Sequence, residues 1–127
     1  SKRGTAPLDS VAVAADADAN GNGAVAVDVV VVTEPKLEEE LGKMPARDWF
    51  ARRAQLRRDH PNVLVVHSWE LVPGQSTRAA DLDNPANALA TFVYAGYAGS
   101  GDHRLRADPD ISALRILLRD KDFVLQP

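Results

Sequence analysis

The chain has no cysteine among its 127 residues. Disulfides, thiolate catalysis and cysteine-ligated zinc are therefore excluded. It also lacks a basic excess, because 15 Lys and Arg against 18 Asp and Glu give a net charge of −3, whereas a general nucleic-acid-binding domain is usually basic. No apolar run approaches the roughly 18 residues that span a bilayer. We expect neither a nucleic-acid partner nor a membrane-spanning helix.

The three histidines are too scattered in the sequence to predict a metal or catalytic site. His60 lies at a predicted helix end, His67 in a predicted strand and His103 in a predicted turn. No pair has a short ligand spacing such as H-x-x-x-H. The sequence therefore predicts no enzyme, no metal and no cofactor. A small enzyme on a β scaffold is the alternative. It would need at least two of five residues in one cleft, namely His60, His67, Glu70, Asp102 and His103.

Residues 11–32 have the period-2 alternation of β-strands. In the second run the valines alternate with Ala24, Ala26 and Asp28, which is the pattern of a half-buried sheet. Asn20-Gly21 between the runs supplies the positive φ angles of a tight turn. We therefore predict a first hairpin over about residues 9–33. The second strand is apolar on both faces over residues 29–32, which predicts burial in a sandwich core.

Helical signals follow this hairpin. Residues 37–41 and Gly42 predict a short helix with a glycine stop. A clearer helix is predicted over residues 46–59, with Pro45 at its first position and Trp49 in its apolar stripe. Its basic patch is either a docking surface for an acidic partner or a solvated face, and we favour the solvated face. The patch consists of Arg52, Arg53, Arg57 and Arg58.

The rest of the chain alternates strands with turns. Strands are predicted over residues 63–72 and 88–98, around Leu105 and over 123–125, with a loop over 75–87. Residues 111–118 can be strand or helix, and we favour strand because a polar turn follows. The predicted fold is mainly β, an antiparallel β-sandwich of two packed sheets with a helical insertion at about 36–60. We expect one domain over residues 9–127 after a flexible lead-in of residues 1–8.

Residues 16–21 match the first half of a calcium loop, D-x-D-x-N-G. Position 12 of such a loop requires a bidentate Glu, and Val27 stands there. We therefore expect no calcium, with Asp16 and Asp18 pointing to solvent. A calcium- or carbohydrate-binding β-sandwich module remains the alternative function. It would require Asp16, Asp18 and Asn20 to converge on a cation.

Four short segments, in this order, carry a resemblance to a known family. Residues 14–20 form an Ala-rich strand end with Asp and Asn, and a Gly-containing turn leads into the Val-rich run of 25–32. An insertion with aromatic residues follows at 49–50, and a later strand ends in Leu-Val-Pro-Gly at 71–74. The chain resembles the TssJ (SciN) family, the outer-membrane lipoproteins of the bacterial type VI secretion system.

The resemblance implies a transthyretin-like β-sandwich with a structural, non-enzymatic role. It implies a periplasm-facing outer-membrane lipoprotein that docks the periplasmic domain of an inner-membrane-anchored partner, TssM. The family's lipidated cysteine is absent here, so the resemblance requires that cysteine and its lipid anchor to lie upstream of Ser1, and whether a signal peptide and a lipobox cysteine precede Ser1 is left open. Loops at one end of the sandwich are expected to dock the partner. The candidates are Asp18, Asn20, Gly21 and Asn22, with Gln75, Ser76 and Arg78 as a second choice.

Overall fold

A computed structural model describes residues 7–108 and 110–126. In this part of the chain, the strands form two four-stranded sheets, sheet A in the order β4-β1-β7-β8 and sheet B in the order β3-β2-β5-β6. The elements in chain order are β1 (Ser10–Ala15), α1 (Ala19–Asn22), β2 (Val25–Val32), α2 (Pro35–Lys43), α3 (Ala46–Asp59), β3 (Leu64–Leu71), β4 (Ser76–Ala79), β5 (Ala90–Ala95), β6 (Arg104–Ala107), β7 (Ala113–Leu118) and β8 (Phe123–Gln126).

The two sheets form the predicted β-sandwich, because each buries one apolar face against the other. Val11 and Val13 of sheet A and Val27 and Val29 of sheet B are buried in this shared core. All strand pairs are antiparallel except β1 with β7, which run parallel. The predicted antiparallel β-sandwich is therefore confirmed, with β1 and β7 as a parallel pair inside it. These two strands are far apart in the sequence, so the long connection that a parallel pair needs is available.

The predicted hairpin over residues 9–33 is wrong. β1 pairs with β4 and β7, whereas β2 pairs with β3 and β5. The connection over residues 16–24 therefore passes from one sheet to the other. The left-handed turn itself is present, with φ of 51° at Asn20, 57° at Gly21 and 73° at Asn22. The alternation predicts the buried face of each strand correctly, but it does not specify which strand is its hydrogen-bonded neighbour.

Two helices cover the outer face of sheet B. α2 begins at Pro35, and the Glu34 side chain caps it by accepting a hydrogen bond from the Leu37 N–H at 2.9 Å. Gly42 lies inside α2 and is not its stop. α3 spans 46–59 as predicted, although Pro45 is its N-cap residue and not its first helical residue. The buried helix residues pack on β5, and this layer contains Leu37, Leu41, Trp49, Leu56, Phe92 and Tyr94.

β2 is buried on both faces because it lies between the sandwich core and the helical layer. Val27 and Val29 face the sandwich core, while Val30 and Val32 belong to the cluster under the helices. Asp28 is also fully buried, at 0 % exposure. The half-buried pattern inferred for this strand is therefore wrong at Asp28, because the helices cover the face that alternation would leave to water.

The later strands follow the prediction with one addition. Residues 113–118 form β7, the favoured alternative, and the edge strand around Leu105 is β6. The loop predicted over residues 75–87 is wrong in part, because it contains β4, which pairs with β1 at the edge of sheet A. β4 is short, polar and half-exposed, and these are the properties that blunt an edge strand and make it look like a loop. In the part of the chain that the structure describes, no helix is long and apolar enough to cross a membrane.

Candidate functional site

The connections over residues 16–24, 72–75, 96–103 and 119–122 meet at one end of the sandwich, which we call the loop end. The Gly74 N–H donates to the Ala15 carbonyl at 3.0 Å, and the Ala15 N–H donates to the Gln75 carbonyl at 2.8 Å. The first turn and the Pro-Gly turn therefore lie side by side. The sequence proposed both as partner-binding loops and left open whether they share one end.

Asn20 ties the first turn to the connection beside it. Its Oδ1 accepts from the Ala98 N–H at 3.0 Å, and its Nδ2 donates to the Ala24 carbonyl at 2.9 Å. The Gly21 N–H donates to Asp120 Oδ1 at 3.1 Å, which adds a tie to the β7–β8 turn. The amide of Asn20 is thus used within the fold, and its role is to hold the turn.

Contacts of His103 and Tyr97 also hold the connections of the loop end in place. His103 is buried, with Nδ1 2.9 Å from Asp122 Oδ1 and Nε2 3.0 Å from the Gly99 carbonyl oxygen. Both partner atoms are acceptors, so a ring with a proton on each nitrogen donates to both. The Tyr97 ring stacks on His103 with centroids 4.9 Å apart, and its hydroxyl donates to the Arg119 carbonyl at 2.8 Å. Burial raises the pKa of the Tyr97 hydroxyl above its usual value.

The exposed side chains at the loop end are mostly polar or small, and Val72 is the large apolar exception. Asp18 is exposed and its carboxylate makes no capping hydrogen bond, while Asn22 and Gln75 are also exposed. Val72 is 55 % exposed and Leu105 is 37 % exposed, and these are the exposed large hydrophobic side chains of the described chain. Val72 is not among the partner-binding residues predicted from the sequence. The available signal was its position between the buried Leu71, which ends β3, and the Pro-Gly turn.

Two of the second-choice candidates do not lie in a loop. Ser76 and Arg78 belong to β4, and Arg78 pairs with Ala12 within sheet A. They were placed in a loop because four polar or small residues give no strand signal of their own. Of the seven candidates, the loop end contains Asp18, Asn20, Gly21, Asn22 and Gln75.

The histidines and acidic residues do not gather into a metal site. Within residues 7–108 and 110–126, no group of three His, Asp or Glu side chains lies close enough to hold a metal ion. His67 Nε2 lies 2.8 Å from Asn84 Oδ1, whereas His103 faces Asp122. The absence of calcium at the first turn stays a prediction, which a titration tests below.

A separate polar cluster lies under α3. The carboxylate of Asp28 accepts hydrogen bonds from Trp49 and Arg53, and Trp49 stacks on Tyr94 with centroids 5.1 Å apart. The interpretation of all four α3 arginines as a solvated face is therefore wrong for Arg53, which pairs with a buried acid. This cluster anchors a helix to a sheet, and the loop end is the better candidate for recognition.

No protein-family model matches this chain, and no curated protein matches it in sequence. Solved structures match it in fold. Lip of Serratia marcescens, a membrane-bound component of the type VI secretion system, is 15 % identical with a TM-score of 0.66, and the match covers 94 % of this chain and 95 % of Lip. The type VI lipoprotein TssJ1 of Pseudomonas aeruginosa is 18 % identical with a TM-score of 0.67, covering 95 % and 98 %.

A third match is a chain from a structure of the TssM C-terminal domain of EAEC, 15 % identical with a TM-score of 0.67, covering 93 % of this chain and 96 % of that chain. At such identities the likeness establishes the fold. The chain has the β-sandwich fold of these secretion lipoproteins over nearly its whole length. The resemblance seen in the sequence is confirmed at that level.

Proposed function

We propose that this chain is a structural, non-enzymatic component of a bacterial type VI secretion membrane complex. In this proposal it is a periplasm-facing outer-membrane lipoprotein that docks a TssM-like protein anchored in the inner membrane. The observation that carries the proposal is the extent of the fold likeness, which covers at least 94 % of this chain and 95 % of Lip and TssJ1. Because one fold can host many functions, the proposal also needs a surface suited to docking.

The loop end supplies such a surface. The hydrogen bonds of Asn20 and the stack of Tyr97 on His103 fix the loops in place, so little conformational entropy is lost when a partner binds. Exposed Val72 offers an apolar contact, and Asp18 and Gln75 supply a polar surround. An apolar centre with a polar rim is the usual anatomy of a protein interface.

The direction of β1 is consistent with a lipid anchor upstream of Ser1. β1 begins at Ser10, beside Ser112, and runs towards the loop end, which it reaches at Ala15. A chain that enters from a membrane anchor would arrive at the opposite end of the sandwich. The loop end would then point away from the outer membrane and towards a partner in the periplasm.

Binding to the periplasmic domain of the cognate TssM-like protein, measured by isothermal titration calorimetry, tests the proposal. The double variant Asp18→Arg/Val72→Asp should raise the dissociation constant by at least about tenfold. Asp18→Arg reverses a charge at the interface, and Val72→Asp would bury a new charge in it. Asp83→Arg is the control for the charge reversal, because Leu82 lies beside Asp9 and Asn84 beside Leu8 at the opposite end. A wild-type chain that does not bind the domain overturns the proposal.

A further inference from the structure

The outer face of sheet A has no cover in the described chain, in contrast to the outer face of sheet B under its helices. On this face Ala12 and Ala14 of β1 are only half-buried, while Arg78 and Arg115 are exposed. An antiparallel-rich sheet often leaves one face to water, and that face is then usually polar. The charged residues on the described strands of sheet A, Arg78 and Arg115, are both positive.

The strand register aligns two arginines across the face. Ala12 pairs with Arg78 on one side and with Arg115 on the other. Two interstrand spacings place the α-carbons of these arginines roughly 10 Å apart. The methyl group of Ala12 stands between them, and the two adjoining depressions on this face are lined by all three residues.

Neither arginine has a hydrogen-bond or ion-pair partner among the residues that the structure describes. Some arginines elsewhere are paired, such as Arg52 with Glu40 at 3.4 Å and Arg53 with Asp28 at 2.8 Å. In a chain with a net charge of −3, this row is a local positive site whose donors are unused. Guanidinium groups favour carboxylates because their fork of N–H groups matches two oxygens.

We propose that the row formed by Arg78, Ala12 and Arg115 docks an acidic segment of a partner protein, as a second surface separate from the loop end. An Asp or Glu carboxylate of the segment lies over Ala12, where the two guanidinium groups donate to it from opposite sides. The alanine is required because a larger side chain there would fill the space between the arginines. Gln126, which pairs with Arg115 on β8, extends the row with a neutral polar group.

Charge and exposure favour a protein segment over a membrane. Recognition of anionic lipid by basic side chains usually takes clusters of about four to eight Lys and Arg, and this row has two. A surface that inserts into lipid also carries exposed apolar side chains. The exposed large ones of the described chain, Val72 and Leu105, lie outside sheet A.

An NMR titration of the labelled chain with a synthetic peptide of alternating Glu and Thr tests the proposal. We expect the peptide to change the chemical shifts of the amides of Ala12, Arg78 and Arg115. The double variant Arg78→Glu/Arg115→Glu should weaken the affinity for the peptide at least about tenfold. Arg57→Glu/Arg58→Glu changes the net charge equally on exposed positions of α3 and should leave the binding unchanged. Ala12→Gln should weaken it with no change of charge.

Chemical-shift changes of equal size with a Lys-Thr peptide would overturn the proposal. Binding of the Glu-Thr peptide that survives the sheet A charge reversal, Arg78→Glu/Arg115→Glu, would also overturn it. So would loss of binding in the α3 variant, since the effect would then follow net charge alone. Binding to phosphatidylglycerol vesicles that the same sheet A reversal abolishes would show that the face recognises lipid phosphate, and it would also overturn the proposal. Asp18→Arg should leave the peptide shifts intact, so failure here is distinguishable from failure at the loop end.

Discussion

The indole N–H of Trp49 donates a hydrogen bond to the buried Oδ2 of Asp28, 2.9 Å away, across the interface between α3 and sheet B. Arg53 donates to the same oxygen at 2.8 Å. Oδ1 of Asp28 is buried and has no hydrogen-bond partner among the described residues. A buried carboxylate is costly unless it is paired, so these two donors matter for holding the helix in place.

Replacing Trp49 with Phe should therefore lower the free energy of unfolding by about 1–3 kcal/mol. The ring that stacks on Tyr94 is largely kept, while one of the two hydrogen bonds to Asp28 is lost. Trp69→Phe is the control, because Trp69 is only partly buried and its indole N–H has no partner in the described chain. Urea denaturation of both variants measures the difference. Equal losses of unfolding free energy would mean that ring volume, not the hydrogen bond to Asp28, accounts for the effect.

The stability of the chain should fall as the pH rises above about 10. Burial raises the pKa of both tyrosines, Tyr94 and Tyr97, above the usual value of 10.0. Above that pH the unfolded chain releases these protons while the folded chain retains them, so alkali favours unfolding. Tyr94→Phe and Tyr97→Phe should each flatten this decline in denaturation measured from about pH 8 to pH 11. Tyrosinate absorbance that appears near pH 10 with native circular dichroism would contradict the expectation.

Gly101→Ala should destabilise the loop end. Gly101 has φ of 130°, and an added Cβ would lie 3.2 Å from two atoms of the His103 ring. The cost is about 1–3 kcal/mol for the strained backbone, and the crowding acts on the ring that braces the loops. Gly99→Ala is the control in the same connection, because nothing lies within 4 Å of its Cβ and its φ is not positive. An equal fall in the melting temperature of both variants would rule out this explanation.

Calcium should not stabilise the first turn. The Asn20 amide is used by Ala98 and Ala24, and Val27 cannot supply the bidentate carboxylate that completes a calcium loop. We expect the same melting temperature with calcium chloride and with EDTA. A rise with calcium that disappears in Asp16→Ala would restore the calcium-binding alternative.

The sequence predicts the faces of the elements better than their partners. The alternation of Val11 and Val13 and the stripe around Trp49 give the buried side of β1 and α3 correctly, because burial depends on local period. The pairing of β1 with β4 and β7 is not local, and no period encodes it. β4 itself was missed, since its edge position removes the apolar pattern by which strands are recognised.

The candidate site shows the same division. The positive φ angles at Asn20 and Gly21 follow from residue type, so the turn was predictable. The hydrogen bond from the Ala98 N–H to Asn20 spans 78 positions in the sequence and depends on how the two sheets pack. The burial of Asp28 likewise depends on where α3 lies, because the strand alone looks half-exposed.

The most direct test of the central claim is an amide hydrogen-exchange footprint of the cognate TssM-like periplasmic domain on this chain. The account predicts that bound partner slows exchange in residues 16–24 and 72–75, at the loop end, and leaves residues 80–89, whose first part adjoins Asp9 at the opposite end, unchanged. Protection confined to residues 80–89 or to the helical layer, or no protection anywhere at saturating partner, would contradict it.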